Sequence, residues 1–399
     1  MAYLCKSLRT LVMRFFEGYR CGVCGREVPA GTAAGECPAC AGPLMAVYDL
    51  GLMRRSVSRD EFLRPGPGVW RFRHLLPDFS TMVSLGEGNT PTIPAKRLGE
   101  SLGASALYVK DESSNPTGSF KARGMAPAVS RLLELGVREA WIPSAGNAGL
   151  ALAAYGAAAG IRCRVYIPSE TPAGIAEECR LYGADVTVVP GLLPDAARRL
   201  DADIGGDRSG LLGTFREPCR VEGKKTMAFE LEADVRPDWI VFPTGGGTGI
   251  VAFWKAYREL EALGWLKGEP PHLAVVQAAG CAPLVKAFDE GSERAAPWSN
   301  PATIASGIRV PASRADMLIL RALRESGGAA VAVTDDEILA AAREMARSLG
   351  IFACPEGAAA WAGLKQLIGD DRVSPSSRIV VVNTAGGARY RFLLDPFTS

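Results

Sequence analysis

The chain has 399 residues, 48% of them hydrophobic and 22% charged, and its 45 basic and 43 acidic residues leave a formal net charge of +2. That composition excludes a disordered or collagen-like chain and provides for two core-bearing domains with a small appendage. The charge balance leaves no field to draw the chain onto nucleic acid or anionic lipid, so small molecules are the expected partners.

The N-terminal stretch MAYLCKSLRTLVMRFFEGYRC is interrupted by Arg9 and Arg14, and no small-residue cleavage site follows. The longest apolar run, around GLALAAYGAAAG, is too short and too rich in alanine to span a bilayer. A soluble cytoplasmic protein is expected. Cys21 and Cys24 form one C-x-x-C, and Cys37 and Cys40 form a second after twelve intervening residues. Each tight turn aims two thiolates at one ion and the arm between them can fold as a hairpin, so four sulfurs reach a tetrahedral zinc. A filled tetrahedron has no place for substrate, which makes the expected zinc structural. The arm GREVPAGTAAGE, with one arginine and no aromatic residue, is poor material for a nucleic-acid surface. The other six cysteines (5, 163, 179, 219, 281 and 354) stand singly, as reduced thiols of a cytosolic protein do. His74 and His272 are the only histidines, so a mechanism built on a histidine base has little raw material.

A linker-like stretch with two proline-glycine pairs, RDEFLRPGPGVWRFRHLLP, leads to SLGEGNTPT. From there strands and helices alternate. ALYVKDE reads as a strand and FKARGMAPAVSRLLELG as the helix after it; AWIPSAG and NAGLALAAYGAAAG repeat the pattern. CRVYIP, GIAEECRLYG and DVTVVP give strand, helix, strand, while DWIVFP and HLAVVQA are apolar runs suited to buried parallel strands. Thr334 and Glu337 form a capping box before TDDEILAAAREMARSLG, PEGAAAWAGLKQLIG is a further helix, and RIVVVN is the last strand. The class is α/β with mostly parallel sheets.

Three turns carry chemistry. In SSNPTGSFKARG, Lys121 opens a helix behind a proline, a glycine and two hydroxyl residues, and is either a surface lysine beside a cap or a reactive amine. In PSAGNAG, Ser144, the amides of Ala145 and Gly146, and the Asn147 side chain can bond a carboxylate or a phenolic oxygen at a helix start; the plainer reading is a capped helix with a packing glycine. In PTGGGTG, Gly245, Gly246, Gly247 and Thr248 lie between a buried strand and a helix and form a phosphate cup, unless the glycines serve only the turn. No Gly-Lys-Ser/Thr closes the loop as a Walker motif would, and no acidic residue follows at the distance a dinucleotide fold needs. Pyridoxal phosphate explains all three turns together: a lysine for the Schiff base, a cup for the phosphate, and a helix start for an amino-acid carboxylate.

KDESSNPTGSFKARG, SAGNAGLALAAY and PTGGGTG resemble the lysine, asparagine-loop and phosphate-loop motifs of fold-type II pyridoxal phosphate enzymes. GEGNTPT with RVEGKKTMAFEL is similar to the threonine synthases, some of whose relatives carry a zinc ribbon in front, and the resemblance runs from about residue 20 to residue 392. It implies a tryptophan synthase β-like fold of two three-layer α/β domains with the cofactor between them. Residues 1–50 would be the ribbon and N-terminal extension, 51–118 a linker and the first part of the large domain, 119–219 the small domain, and 220–399 the large cofactor-binding domain. The resemblance implies Lys121 as the aldimine lysine and proton shuttle, Phe120 beside the cofactor ring, Asn147 at the pyridoxal 3'-oxygen, Gly245 to Thr248 at the phosphate, and Thr384 at the pyridine nitrogen. The implied reaction converts O-phosphohomoserine and water to threonine and phosphate, and a homodimer is expected by analogy. Ala122 stands where many threonine synthases have aspartate, and Ala385, Gly386 and Gly387 where many have glycine-histidine-glycine. Ala122 and PEGAAA are shared with the serine/threonine deaminase branch, so the alternative is a β-elimination or β-replacement enzyme, a deaminase or an O-phosphoserine-using synthase. For the substrate's phosphate the candidates are Arg309 first, then Lys224, Lys225 and Arg123; Ser144, Ala145 and Gly146 are the other substrate candidates, and Glu222 could orient a segment.

Overall fold

The computed structural model describes residues 14–33, 35–206 and 208–390. Residues 1–13, with Cys5, and residues 391–399 of the last expected domain lie outside the described residues.

Apolar runs dictate the centre of the molecule. Leu107–Asp111, Trp239–Pro243, His272–Ala278, Ala329–Val333 and Ile379–Asn383 pair as parallel strands, with the short strand Thr92–Pro94 added antiparallel at one edge. Both faces of this six-stranded sheet are covered, which is why the strands lack polar alternation. Ile240, Phe242, Val380 and Val382 face a core shared with Met227 and Phe253. Val241, Val276 and Val381 face the opposite core with Ile338 and Trp361. Helices Cys219–Asp234 and Thr248–Ala262 therefore lie on one side, and Asp335–Leu349 and Pro355–Gly369 on the other.

A second parallel sheet has the order Glu139–Pro143, Arg162–Pro168, Asp185–Val189. One face packs on helices Lys121–Glu134 and Asn147–Ala159 through Ile142, Val165, Val129 and Leu150; the other covers Ala196 and Leu200 of helix Leu193–Ile204. The two units meet where helix Lys121–Glu134 crosses helix Cys219–Asp234. A Cβ on Gly124 would come within 2.6 Å of the Arg220 carbonyl oxygen, and one on Gly223 would overlap the Arg123 carbonyl, so only glycines permit this crossing.

Glu27–Pro29, Phe16–Cys21 and Leu44–Tyr48 form a three-stranded antiparallel sheet around the four N-terminal cysteines. The stretch read as linker-like folds instead into the short helix Arg59–Phe62 and the 3₁₀ segment Val69–Leu75. Its apolar residues decide the outcome: Phe62, Phe72 and Leu75 are fully buried, and the Phe62 ring lies 5.0 Å from that of Phe229. Among the described residues no helix is long and apolar enough to cross a membrane.

Candidate functional site

The three chemical turns converge at the junction of the two sheets. Lys121 begins its helix after the 115–120 turn, in which Thr117 and Gly118 take positive φ. That turn is tied to the end of the central strand Ile379–Asn383, because the Phe120 N–H donates to the Thr384 carbonyl at 3.0 Å and the Gly386 N–H to the Gly118 carbonyl at 3.1 Å. Thr384 is thereby brought beside Phe120. The Lys121 Nζ lies 4.2 Å from the centroid of the Phe120 ring. Loss of water around the amine, and then the Arg220 guanidinium, pull its pKa down to about 8, while Glu356 works in the opposite direction.

The glycine loop leaves strand Trp239–Pro243 and enters helix Thr248–Ala262. Gly247 has φ +85°, and a Cβ there would overlap Ile319; a Cβ on Gly246 would stand 2.8 Å from Thr214. The loop thus offers bare backbone at a helix N-terminus, the arrangement that binds phosphate. Lys224, fully buried, donates to the Thr248 hydroxyl at 2.7 Å. Burial, then Arg220 and Lys121, hold its pKa well below the ordinary lysine value.

Asn147 opens helix Asn147–Ala159; its Nδ2 lies 3.5 Å from the Tyr390 hydroxyl, and its Oδ1 is buried without a hydrogen-bond partner. Ser119 Oγ and Thr117 Oγ1 are likewise buried and unpartnered. Unsatisfied buried oxygens are costly in a native fold; two of these belong to the turn that carries the lysine and the third to the residue that opens helix Asn147–Ala159, so polar atoms without a protein partner gather where a polar ring-shaped group between Lys121, Asn147 and the glycine loop would sit. The residues present therefore fit pyridoxal phosphate.

The remaining candidates divide. The Ser144 hydroxyl accepts from the Gly149 N–H at 2.9 Å and so caps its own helix; Ala145 lines the cleft mouth, and Gly146 takes φ +153° just before Asn147. Arg309 also lies there, and its Nη2 is 2.7 Å from Glu170 on the same rim. Arg123, named by charge as a phosphate candidate, has no donor to spare: it bonds Glu112, Glu230, Thr226 and Thr90 in the interior. Lys225 points away from the site into a buried cluster with Glu222 at 2.6 Å and Glu259 at 2.7 Å. Arg220 and Glu356 act on Lys121 and Tyr390 approaches Asn147, though no motif in the sequence singles them out. For Arg220 a signal existed: it is four residues before Lys224 and shares its helix face.

In the N-terminal sheet, Cys21 and Cys40 sulfurs are 3.5 Å apart, those of Cys24 and Cys37 3.6 Å, and all four lie within 4.8 Å of one another. A tetrahedral ion with metal–sulfur bonds of about 2.3 Å needs sulfurs about 3.8 Å apart, so the four fit such an ion.

Residues 83–385 match the family described as pyridoxal-phosphate dependent enzyme. A threonine synthase of Methanocaldococcus jannaschii is 38% identical over 93% of this chain and 92% of its own, and one of Methanosarcina acetivorans 37% identical over 95% and 92%. Maize serine racemase, 21% identical, superposes with a TM-score of 0.64 over 78% of this chain and 92% of its own, which shows the shared fold. The lysine turn, the asparagine helix start and the glycine loop all fall within the matched segment, and the chain belongs to the pyridoxal-phosphate dependent enzymes of fold type II.

Proposed function

We propose that this enzyme is a threonine synthase that converts O-phosphohomoserine and water to threonine and phosphate, with Lys121 holding the cofactor covalently and moving the protons. The observation that carries the reading is the 37–38% identity to threonine synthases over more than nine-tenths of both chains. Bound pyridoxal phosphate supplies the electron sink that acidifies the substrate's C–H bonds. The backbone of Gly245 to Gly247 with Thr248 would hold its phosphate, Asn147 its ring oxygen, Phe120 one ring face and Thr384 the ring nitrogen. A threonine or other hydroxyl at the ring nitrogen leaves that nitrogen largely unprotonated and moderates the sink. A lysine with its pKa near 8 is neutral in a useful fraction of molecules at neutral pH, so Lys121 can take a proton from Cα and return one later.

The substrate brings a second phosphate. Arg220 and Lys224, both buried and both depressed below their ordinary basicity, place two basic groups near Lys121, and a dianion arriving there would favour the protonated form of Lys224. This pair answers the need better than Arg309, which is engaged with Glu170 at the mouth. Closure of the 119–219 domain on the large domain would exclude water from the cleft. We also infer that Cys21, Cys24, Cys37 and Cys40 hold one structural zinc.

The test is a product assay. Phosphate and threonine from O-phosphohomoserine, lost in Lys121→Ala together with the covalent cofactor, support the proposal. Ammonia and a 2-oxo acid from threonine, serine or O-phosphoserine, with no threonine formed, would replace it by β-elimination.

A further inference from the structure

A carboxylate stands next to the candidate lysine that the reaction as described does not use. Glu356 is the second residue of helix Pro355–Gly369 and is 5% exposed. Its Oε1 accepts the Gly307 N–H at 2.7 Å, and it is hydrogen-bonded to the hydroxyl of Tyr390. Tyr390 is also 5% exposed, and the Asn147 Nδ2 lies 3.5 Å from its oxygen. The chain of bonds has one direction: the Asn147 amide donates to the tyrosine oxygen, the tyrosine O–H to Glu356, and the Gly307 N–H to Glu356 from the other end. Gly307 in turn abuts the glycine loop, since its carbonyl would be 2.9 Å from a Cβ on Gly245.

We propose that Glu356 is a positioning residue of this site, fixing the Tyr390 hydroxyl against the Asn147 amide and placing a negative charge near Lys121 that offsets Arg220. The inference rests on the reading of Lys121 and Asn147 as cofactor residues. Charged and titratable groups reach Lys121 from two helices: Arg220 and Lys224 from Cys219–Asp234, and Cys354 and Glu356 from the start of Pro355–Gly369. Helix Asn147–Ala159 contributes the uncharged Asn147, and the end of strand Ile379–Asn383 the uncharged Thr384. With the Arg220 guanidinium close by and water excluded, an amine with no anion nearby would stay neutral and be a poor proton donor. Glu356 opposes that, and a residue that both takes and returns protons works best with its pKa near the working pH. The same carboxylate sets the tyrosine's donor direction, which fixes one hydrogen of the Asn147 amide on the tyrosine oxygen and leaves the second free to meet the cofactor's ring oxygen.

The experiment compares holoenzyme carrying Glu356→Gln, Glu356→Asp, Tyr390→Phe and the Gln/Phe double substitution. Its readouts are the pH midpoint of the bound cofactor's absorbance, kcat and KM separately, and the thermal midpoint. The absorbance reports the nitrogen that Lys121 shares with the cofactor, and removing a carboxylate near a cationic nitrogen lowers its pKa, so Glu356→Gln is expected to move the absorbance midpoint down by roughly one pH unit and to lower kcat roughly tenfold with little change in KM. Glu356→Asp restores the midpoint. Tyr390→Phe lowers kcat with the midpoint near wild type, and the double variant loses less than the product of the single losses because both act on Asn147 through one chain. An unchanged midpoint in Glu356→Gln, or losses that multiply as if independent, overturns the proposal. If Glu356→Gln does not fold, Tyr390→Phe decides, and wild-type kcat there overturns it. Protein that takes up no pyridoxal phosphate overturns this inference and the site reading together, whereas normal uptake with wild-type behaviour in every variant overturns only the role of Glu356.

Discussion

Arg123 sits two positions from the candidate lysine and never reaches the cleft. Its Nε is 2.6 Å from Glu112 and its Nη2 2.7 Å from Glu230, with Lys110 2.8 Å from the same Glu230 carboxylate, all in the interior. Two cations and two anions make the group neutral, and Thr90, Thr226 and Asn115 fill the remaining positions. Such a network holds the lysine turn because its partners come from several elements, strand Leu107–Asp111 and helix Cys219–Asp234 among them, and breaking it leaves a buried charge uncompensated. Burial alone would raise the Glu230 carboxyl, but Arg123, with Lys110 behind it, pulls it down to about 2. A carboxyl lowered in the folded state stabilises fully above its ordinary pKa of 4.5, and that contribution is lost as pH falls towards 2. The stability gap between wild type and Glu230→Gln should therefore be on the order of 3 kcal/mol at neutral pH and close between about pH 4.5 and 2. Urea unfolding at stepped pH reads the gap; a gap that stays constant down to pH 2 contradicts this account.

Helix Cys219–Asp234 shows what one residue of rotation does. Lys224 and Lys225 are neighbours in sequence, yet successive helical residues point about 100° apart, so the first faces the cleft and the second the core. Lys224 meets the Thr248 hydroxyl and Arg220 lies one turn before it. Lys225 joins Glu222, Glu259, Lys255 and Tyr48 in a cluster that includes the 2.7 Å bond from the Tyr48 hydroxyl to Glu222. The two lysines should separate by assay. Lys224→Gln is expected to leave the unfolding midpoint nearly unchanged and to cut kcat/KM for O-phosphohomoserine roughly 10- to 100-fold, the worth of a hydrogen bond to a charged group. Lys225→Met leaves excess buried negative charge and should cost about 3 kcal/mol or more of stability. Equal stability losses in the two variants would mean that the helix faces are misassigned.

The same helix marks how much was legible in the sequence. Strand-turn-helix punctuation placed Lys121, Asn147 and the 245–248 loop at element boundaries, because glycines and caps act locally. The Thr334/Glu337 capping box is formed for the same reason. What joins those boundaries is not local. Glu356 acts on Tyr390, and Arg220 on Lys121, across long sequence separations that no motif spacing encodes. The proline-glycine pairs of residues 65–68 read as linker, while the burial of Phe62 and Phe72 beside them depends on Phe229 in a helix far along the chain.

At the scale of the whole molecule, the cysteine sheet is wedged against both units. The Tyr19 hydroxyl is 3.7 Å from the Cys219 sulfur, Arg131 of the lysine helix donates to the Thr32 carbonyl at 2.7 Å, Tyr48 holds Glu222, and Arg314 pairs with Glu36. Its strands are only three to six residues long, too little apolar surface to order the sheet alone, so the four thiolates and their ion would have to supply the missing stability. Loss of the ion should then be felt at a distance. Without the ordered sheet, Tyr48 no longer holds Glu222, and Cys219 and Arg131 are left facing water at the crossing that positions Lys121 and Arg220. Chelation, or Cys37→Ser, is expected to release about one zinc per chain, lower the thermal midpoint by several degrees and weaken pyridoxal phosphate uptake, although no site residue has changed. Zinc analysis, a thermal scan and a cofactor titration on the same preparation check the three effects together. Full zinc release with an unaltered thermal midpoint and unaltered cofactor affinity would show that the sheet is an appendage and that the crossing stands without it.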